Sequence, residues 1–579
     1  MEPIPQTPYS YGPFTTGALP RLSERAQLQT ILRSNGRSAA PAALTDYRLQ
    51  VAPTTERVAE YDEEIAQLQS ILNRMVANRE VLQYHADACS SVSAPIRRLP
   101  DDLLLQIFRV GLWSQLQFPT QEKEWSNIVS REQMLDHWRL RRALIAPLYV
   151  HIRRLAQVCA SWRDLVLGSP ILWSAIELDF DYLGPAPESR DIERVVQLTT
   201  SALERSADAP LQIYVRSRDF GYYTDGSVLD LLSRHSNRWK IVKIWAGPHP
   251  HHFKNFKCLA PAMGNLPLLE TLHISGLPTD CDFFEVAPRL TELTLEDPIP
   301  VHAKLPWGQL QAISYTRLYP EDLPTVISQL SYCPQITRLA FYMLHIPDIQ
   351  DWPIIPAFVS NVDTFVVKFT VVAGDAQETV IIDAFLESIT LRRCKTLHLE
   401  TECKGKDSYP LPWPPSAFLA LSSRSAFHDT LLTLEILNLE ISATQLLECL
   451  SGLPRLEALL VSDPNHWPNS HTADVFLVND VLLRGLTSTP DSGLLLVPRL
   501  HSFDCRTYMQ FEDNSYLNFI ASRVGPGRNA DGPFQSSILY YRGFSVKPLL
   551  AERLSEFVLR KQLESHFECD YSGSILEPK

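Results

Sequence analysis

The sequence predicts an α/β protein, with helices toward the N-terminal end followed by an irregular array of helix, turn and short strand. Three observations carry that expectation. Residues 58–82 place apolar side chains in alternating steps of three and four. Residues 96–108 and 155–173 hold two short, strongly apolar helical patterns. From Trp173 onward a simple rule recurs: apolar, two spacers, apolar, one spacer, apolar.

Residues 1–20 are rich in Pro, Thr, Ser, Tyr and Gly and carry little periodic apolar content. Such a segment buries too little surface to offset chain entropy, which predicts disorder. Residues 21–94 form the next segment. From Val58, the positions Tyr61, Ile65, Leu68, Leu72, Met75, Arg79 and Leu82 trace a coiled-coil-like seam that only Arg79 interrupts. A helix of about 28 residues is expected there. Its seam can join two copies as a homodimer through residues 58–82, fold back on Ala26–Leu32, or lie on the helices that follow.

Residues 95–175 carry the most informative pattern. Pro100 suits a helix start, since it has a fixed φ and no amide proton, and Asp101 and Asp102 put negative charge at the positive end of the helix dipole. Leu103, Leu104, Ile107 and Phe108 then form one apolar stripe. Leu155, Val158, Cys159, Trp162, Leu165 and Val166 repeat the helical spacing, and Gly168 with Pro170 ends that second helix.

Leu-Pro-Asp-x-Leu-Leu-x-x-Ile-Phe, then Val-Cys-x-x-Trp-Arg-x-Leu, then Ile-Leu-Trp, resembles the F-box, the adaptor-docking module of SCF-type cullin–RING ubiquitin ligases. The charged helix running into Pro95-Ile96-Arg97-Arg98-Leu99-Pro100 is similar to the expanded fungal F-box families. The resemblance implies that Leu99, Pro100, Leu103, Ile107 and Phe108 meet the adaptor, with Val158, Cys159, Trp162 and Leu165 closing the helical box. The connection at about residues 109–150 is longer than the family's usual one. It contains Trp113, Trp125, Trp138, Arg139, Arg141 and Arg142, and an extra helix is expected near residues 130–145. An amphipathic helix pair inside an ordinary core is the alternative reading.

Residues 176–565 are expected to form the repeat domain, followed by a tail at 566–579. Copies of the rule are led by Leu269, Leu290, Leu310, Ile336, Val362, Leu434, Leu456 and Leu500, as in Leu269-x-x-Leu272-x-Ile274. Several follow a Pro bend, and helical stretches at Leu323–Leu330, Ile381–Leu391 and Thr444–Leu450 precede some bends. The texture resembles a degenerate leucine-rich-repeat solenoid, although copies about 20 to 45 residues apart are less regular than that family's repeats. A general α/β domain with Leu-rich parallel strands is the alternative. On a solenoid, Thr271, His273, Glu292, Thr294, Arg338, Glu435, Asn438 and Glu457 would face outward between the apolar positions.

A net charge of −13 argues against general nucleic-acid or anionic-membrane binding. No apolar stretch is long enough to span a bilayer, and the start of the chain lacks a signal-peptide pattern, so an intracellular location in cytoplasm or nucleus is expected. The ten cysteines are scattered singly, which indicates neither a zinc site nor a disulfide framework. His249, His251 and His252, with Cys258 nearby, read as a polar loop rather than a metal site, and Asp179 and Asp181 as a solvated strand end. No phosphate loop, nucleophile elbow or His-Glu-x-x-His motif occurs, so no catalytic residue, metal or cofactor is expected. The expected function is substrate recognition within an SCF-type ligase, with the adaptor, through it the cullin, and a target protein as partners. The alternative is a scaffold that recruits no ligase.

Overall fold

The structure, a computed structural model, describes residues 22–34, 40–113, 147–180, 189–217, 226–246, 256–275, 282–296, 304–344, 357–372, 380–404, 410–464, 476–487, 495–524, 534–540, 548–559 and 563–569. Residues 1–20, the helix expected near 130–145, Asp181, and His249, His251 and His252 lie outside these ranges. The chain divides into two compact units, Met1–Leu104 and Leu105–Lys579, and the division falls within one helix.

The first unit holds α1 (Leu22–Arg33), α2 (Pro41–Ser93) and the start of α3 (Asp101–Trp113). At 53 residues α2 is nearly twice the length that the seam predicts, because it continues through Pro53. A proline inside a helix removes one backbone hydrogen bond and presses on the preceding turn. The carbonyl left without an amide is that of Leu49; the hydroxyls of Thr54 and Thr55 donate to the carbonyls of Gln50 at 2.7 Å and Val51 at 2.8 Å, the same bond to the residue four back that Thr45 makes to Pro41. None of the residues of α2 is buried.

In the second unit the helix expected over 155–167 is two helices, α4 (Pro147–Ala156) and α5 (Ala160–Leu167). Cys159 causes the break: its backbone is extended, with φ −160° and ψ 171°, and its Sγ accepts the Trp162 amide at 3.4 Å as a helix cap. Pro170 then opens the one-turn α6 (Pro170–Trp173).

A large, open, wholly parallel sheet follows. Its first strands are β1 (Ala175–Asp179), β2 (Leu211–Ser217), β3 (Trp239–Ala246), β4 (Thr271–Ile274), β5 (Glu292–Leu295), β6 (Ala312–Leu318) and β7 (Arg338–Leu344). After β8 (Phe358–Ser360) come β9 (Thr364–Val372), β10 (Ile389–Leu391), β11 (Thr396–Lys404), β12 (Thr433–Leu437) and β13 (Ala458–Ser462). The last are β14 (Ser502–Thr507), β15 (Phe534–Tyr540) and β16 (Leu563–Cys569). Among the described residues fourteen strands pair in chain order, while β8 and β10 pair with each other outside the main sheet. β16 runs past residue 565, the expected end of the domain, because it completes the ladder with β15.

The register explains why the apolar rule recurs. Ile176, Ile213, Val242, Leu272, Leu293, Ile313, Leu339 and Phe365 stand side by side, strand to strand. The same row continues through Leu397, Leu434, Leu459 and Phe503. A second row, two residues on, runs from Leu178 through Ile274, Tyr315, Val367 and Ile436 to Ile538. Residues two apart share one face of a strand, so both rows enter the same core, where helices such as Leu323–Leu330 and Ala443–Ser451 pack.

Three further copies of the rule are led by Trp173, Trp239 and Cys394 instead of an aliphatic residue: Trp173-x-x-Ile176-x-Leu178, Trp239-x-x-Val242-x-Ile244 and Cys394-x-x-Leu397-x-Leu399. One expected copy has the wrong frame. Leu434 does not lead its repeat; Leu431 does, because Leu434 pairs with Leu397 and Leu459 in the buried row. Leu437 and Leu439 are also buried, so two overlapping frames satisfy the same rule. The helix expected over 381–391 ends at Ser388, and its last three residues form β10.

Candidate docking face and the polar face of the sheet

Two regions carry candidate functional side chains. The first is α3, which is apolar on two sides. Leu104, Phe108 and Leu112 are 4%, 3% and 4% exposed and lie four apart on one stripe. Leu103 and Ile107, each one residue earlier, stay 42% and 48% exposed, and Val110 is 68% exposed. Asp101 and Asp102 occupy the first turn as expected, while Pro100 sits just before the helix and its carbonyl accepts the Leu104 amide at 3.0 Å. Leu99 is half-buried and Pro100 exposed.

Phe108 and Trp162 are brought together, with ring centroids 4.6 Å apart at 61°, so both serve internal packing of α3 on α5. Leu165 is half-buried beside the fully buried Val166, and Val158 is 53% exposed. Cys159 contributes its backbone turn and cap rather than a helical face. Trp173 closes this end: its Nε1 donates to the Val166 carbonyl at 2.9 Å, and the Arg205 guanidinium lies 4.4 Å over its ring. The surface apolar residues of the motif are therefore Pro100, Leu103, Ile107 and Val158.

The second region is the face of the sheet opposite the helices. Thr271, Glu292 and Arg338 lie in one cross-strand row, and His273, Thr294 and Glu435 in the next. Glu457 is half-buried, 3.7 Å from His501. Asn438 differs from expectation: it is 3% exposed with φ 52°, and its Nδ2 donates to the Thr401 carbonyl at 2.6 Å. A left-handed residue that ties a strand end to its neighbour must turn inward, and Asn tolerates that conformation. His273 is enclosed more than an outward residue would be. Its Nε2 is buried without a hydrogen-bond partner among the described residues, and burial, then the Lys243 ammonium, push the ring down to about 4.

A charged cluster on this face was not expected from the sequence. Lys368 on β9 is 2% exposed and its Nζ lies 3.4 Å from both Glu400 and Glu402 of β11. His398, also on β11, joins Glu435 of β12 through Nδ1 and Glu400 through Nε2, the latter at 3.3 Å. Burial alone would lower the His398 ring, but hydrogen bonds to Glu400 and Glu435, with their charge, hold it at about 9. The same enclosure, with Glu400 beside it, raises the neighbouring Tyr342 phenol. The result is a polar patch with three carboxylates around Lys368 and His398. With Cys394 leading this repeat and Leu397 and Leu399 in the buried rows, the alternation of a strand puts His398 and Glu400 on the outward positions of β11.

Asp463, at the end of β13, is a third polar centre. It accepts from the Val478 amide at 2.9 Å, the Thr507 hydroxyl at 2.7 Å and the Tyr508 amide at 2.9 Å, joining three segments. Complete burial pushes its carboxyl up to about 6 despite those donors. These bonds assign it to holding loop backbone. Cys258 is half-buried, and burial pushes its thiol up to about 11. Among the described residues no helix is long and apolar enough to cross a membrane. No family model matches the chain, and no curated protein matches it in sequence.

Proposed function

We propose that the chain is a substrate-recognition subunit of an SCF-type cullin–RING ubiquitin ligase, docking the adaptor through α3 and its neighbouring turns and a target protein through the polar side of its parallel sheet. The observation that carries the proposal is the two-sided apolarity of α3. A helix needs one apolar stripe to pack on its own protein; a second stripe at Leu103 and Ile107, exposed beside Pro100, favours a partner surface. The sheet supports the second half of the reading. Its strands follow chain order, and their outward residues are polar and varied, which suits capture by a leucine-rich-repeat-like array. The subunit acts by proximity: holding a target lysine near the transfer site raises its effective concentration there.

The test is affinity recovery of the adaptor with the full chain. Replacing Leu103 and Ile107 together by Asp leaves the anchored stripe of Leu104, Phe108 and Leu112 in place, and at a hot-spot surface it lowers recovery by about tenfold or more. Unchanged recovery from a folded double variant overturns the reading. The alternative, a scaffold that recruits no ligase, draws its support from α2, a helix of 53 residues with none buried.

A further inference from the structure

We propose that Lys243 and His273, neighbours on the polar face of the sheet, bind an oxyanion, a phosphate or a carboxylate, carried by the captured protein. The inference rests on the reading of this face as the capturing surface and names the chemistry that it takes. Its first ground is a contrast between two groups of basic side chains on that face. Lys368 is held by Glu400 and Glu402, and His398 by Glu400 and Glu435, so their charge is answered within the protein. Lys243 is half-buried on β3, with its ammonium 5.5 Å from the centre of the Tyr214 ring. Among the described residues it makes neither an ion pair nor a hydrogen bond.

The second ground is His273, which pairs directly with Lys243 across β3 and β4. Its Nε2 is buried and has no hydrogen-bond partner among the described residues. A buried polar atom left unpaired costs stability, and a ligand that pairs it returns that cost. Burial also disfavours the Lys243 ammonium, which in turn helps to keep the imidazole neutral. One oxyanion between them relieves both: it accepts from the ammonium and from Nε2–H, and its charge favours the protonated form of each. Both side chains keep part of their surface in solvent and turn about their own torsions, so neither nitrogen is sealed from an incoming group. The carboxylate whose field reaches Lys243 is that of Glu292 on β5, which is exposed and accepts the Thr271 hydroxyl at 3.2 Å.

The row continues into β5 and β6 as Thr294 and Ser314, whose hydroxyls make no hydrogen bond among the described residues. Hydroxyls both donate and accept, and a peptide backbone offers both kinds of partner. An isolated ion would need only Lys243 and His273; the four positions together suit an oxyanion borne on a chain.

The experiment measures fluorescence anisotropy on the full chain with three short labelled peptides of Gly and Ser that differ only in a central phosphoserine, glutamate or serine. The phosphoserine peptide should bind about tenfold or more tighter than the serine peptide. An equal gain for the glutamate peptide shows that the site takes carboxylates as well; a gain for phosphoserine alone identifies phosphate. Equal binding of all three peptides up to millimolar concentration overturns the inference. Lys243→Met and His273→Phe, each checked for an unchanged urea midpoint, should abolish the preference. Lys240→Met removes the same charge from β3 at a residue paired with Glu270 and should keep it. Equal loss in that variant assigns the preference to net charge and overturns the site. A readout that needs no variant is acetylation of Lys243 by an amine-reactive ester, followed by mass spectrometry. The phosphoserine peptide should protect Lys243 and the serine peptide should not; equal labelling with both again overturns the inference. Anion preference without adaptor recovery sinks the ligase reading alone, and adaptor recovery without anion preference sinks this inference alone.

Discussion

The long helix α2 and the parallel sheet use apolar residues at similar local density but in different settings. In α2 the apolar positions recur every three or four residues and stay at the surface; in the sheet they recur every second residue and are buried, commonly below 2% exposure. The sheet row is closed by neighbours on both sides, since each strand supplies the wall for the next. No residue of the helix is buried. The contrast teaches that periodicity reports the direction of an apolar face, whereas burial depends on what is delivered to that face.

The largest effect should come from breaking the sheet row. Phe365 is fully buried, with its ring centroid 5.7 Å from that of Phe341 and 6.4 Å from that of Phe385. Phe365→Ala should cost about 3 to 5 kcal/mol, combining lost transfer energy with a cavity. It should appear as a lower urea midpoint, and an unchanged midpoint would remove the row's claim to organise the core.

The polar side of the sheet should respond to pH. His398 is held at about 9 against an ordinary 6.5. Its contribution is fully present below about 6.5 and is lost as pH rises through about 9, since the folded state binds the proton more tightly. The upper bound is about 3 kcal/mol. His398→Gln should flatten the dependence of stability on pH between those values, and a variant that keeps the full slope would assign it to another group.

The smallest effect should come from the helix. Leu72 is 59% exposed, so Leu72→Ala at protein concentrations low enough to keep the chain monomeric should change stability by about 0.5 kcal/mol or less. An equivalent truncation at Leu397, which is fully buried, should cost about 2 to 5 kcal/mol. Equal costs at the two sites, read from urea midpoints, would erase the distinction drawn here.

Much of this architecture was legible in the chain. The start of α3 could be read from Pro100, Asp101 and Asp102, and the helices expected at 323–330 and 444–450 are found at 323–330 and 443–451. Ser442 and Gln445 form a reciprocal cap at the latter, which sharpens its start. The break at Cys159 was not legible, because a thiol that caps a helix and one that sits within it satisfy the same apolar spacing. Nor was the length of α2, which runs through Pro53, a residue that usually ends or kinks a helix.

The alternation of apolar and polar residues is a local property, set by the geometry of a strand, and the order of residues alone determined which side chains of one strand share a face. Which side chains meet across strands was decided by the tertiary structure. Lys368 finds Glu400 and Glu402, and His398 finds Glu435, only because β9, β11 and β12 align at one register. The same alignment chose Leu431 over Leu434 as a repeat leader. Connections of unequal length separate those strands in sequence, so no spacing along the chain encodes the pairing. It follows from each strand seating its apolar pair on the row left open by the one before.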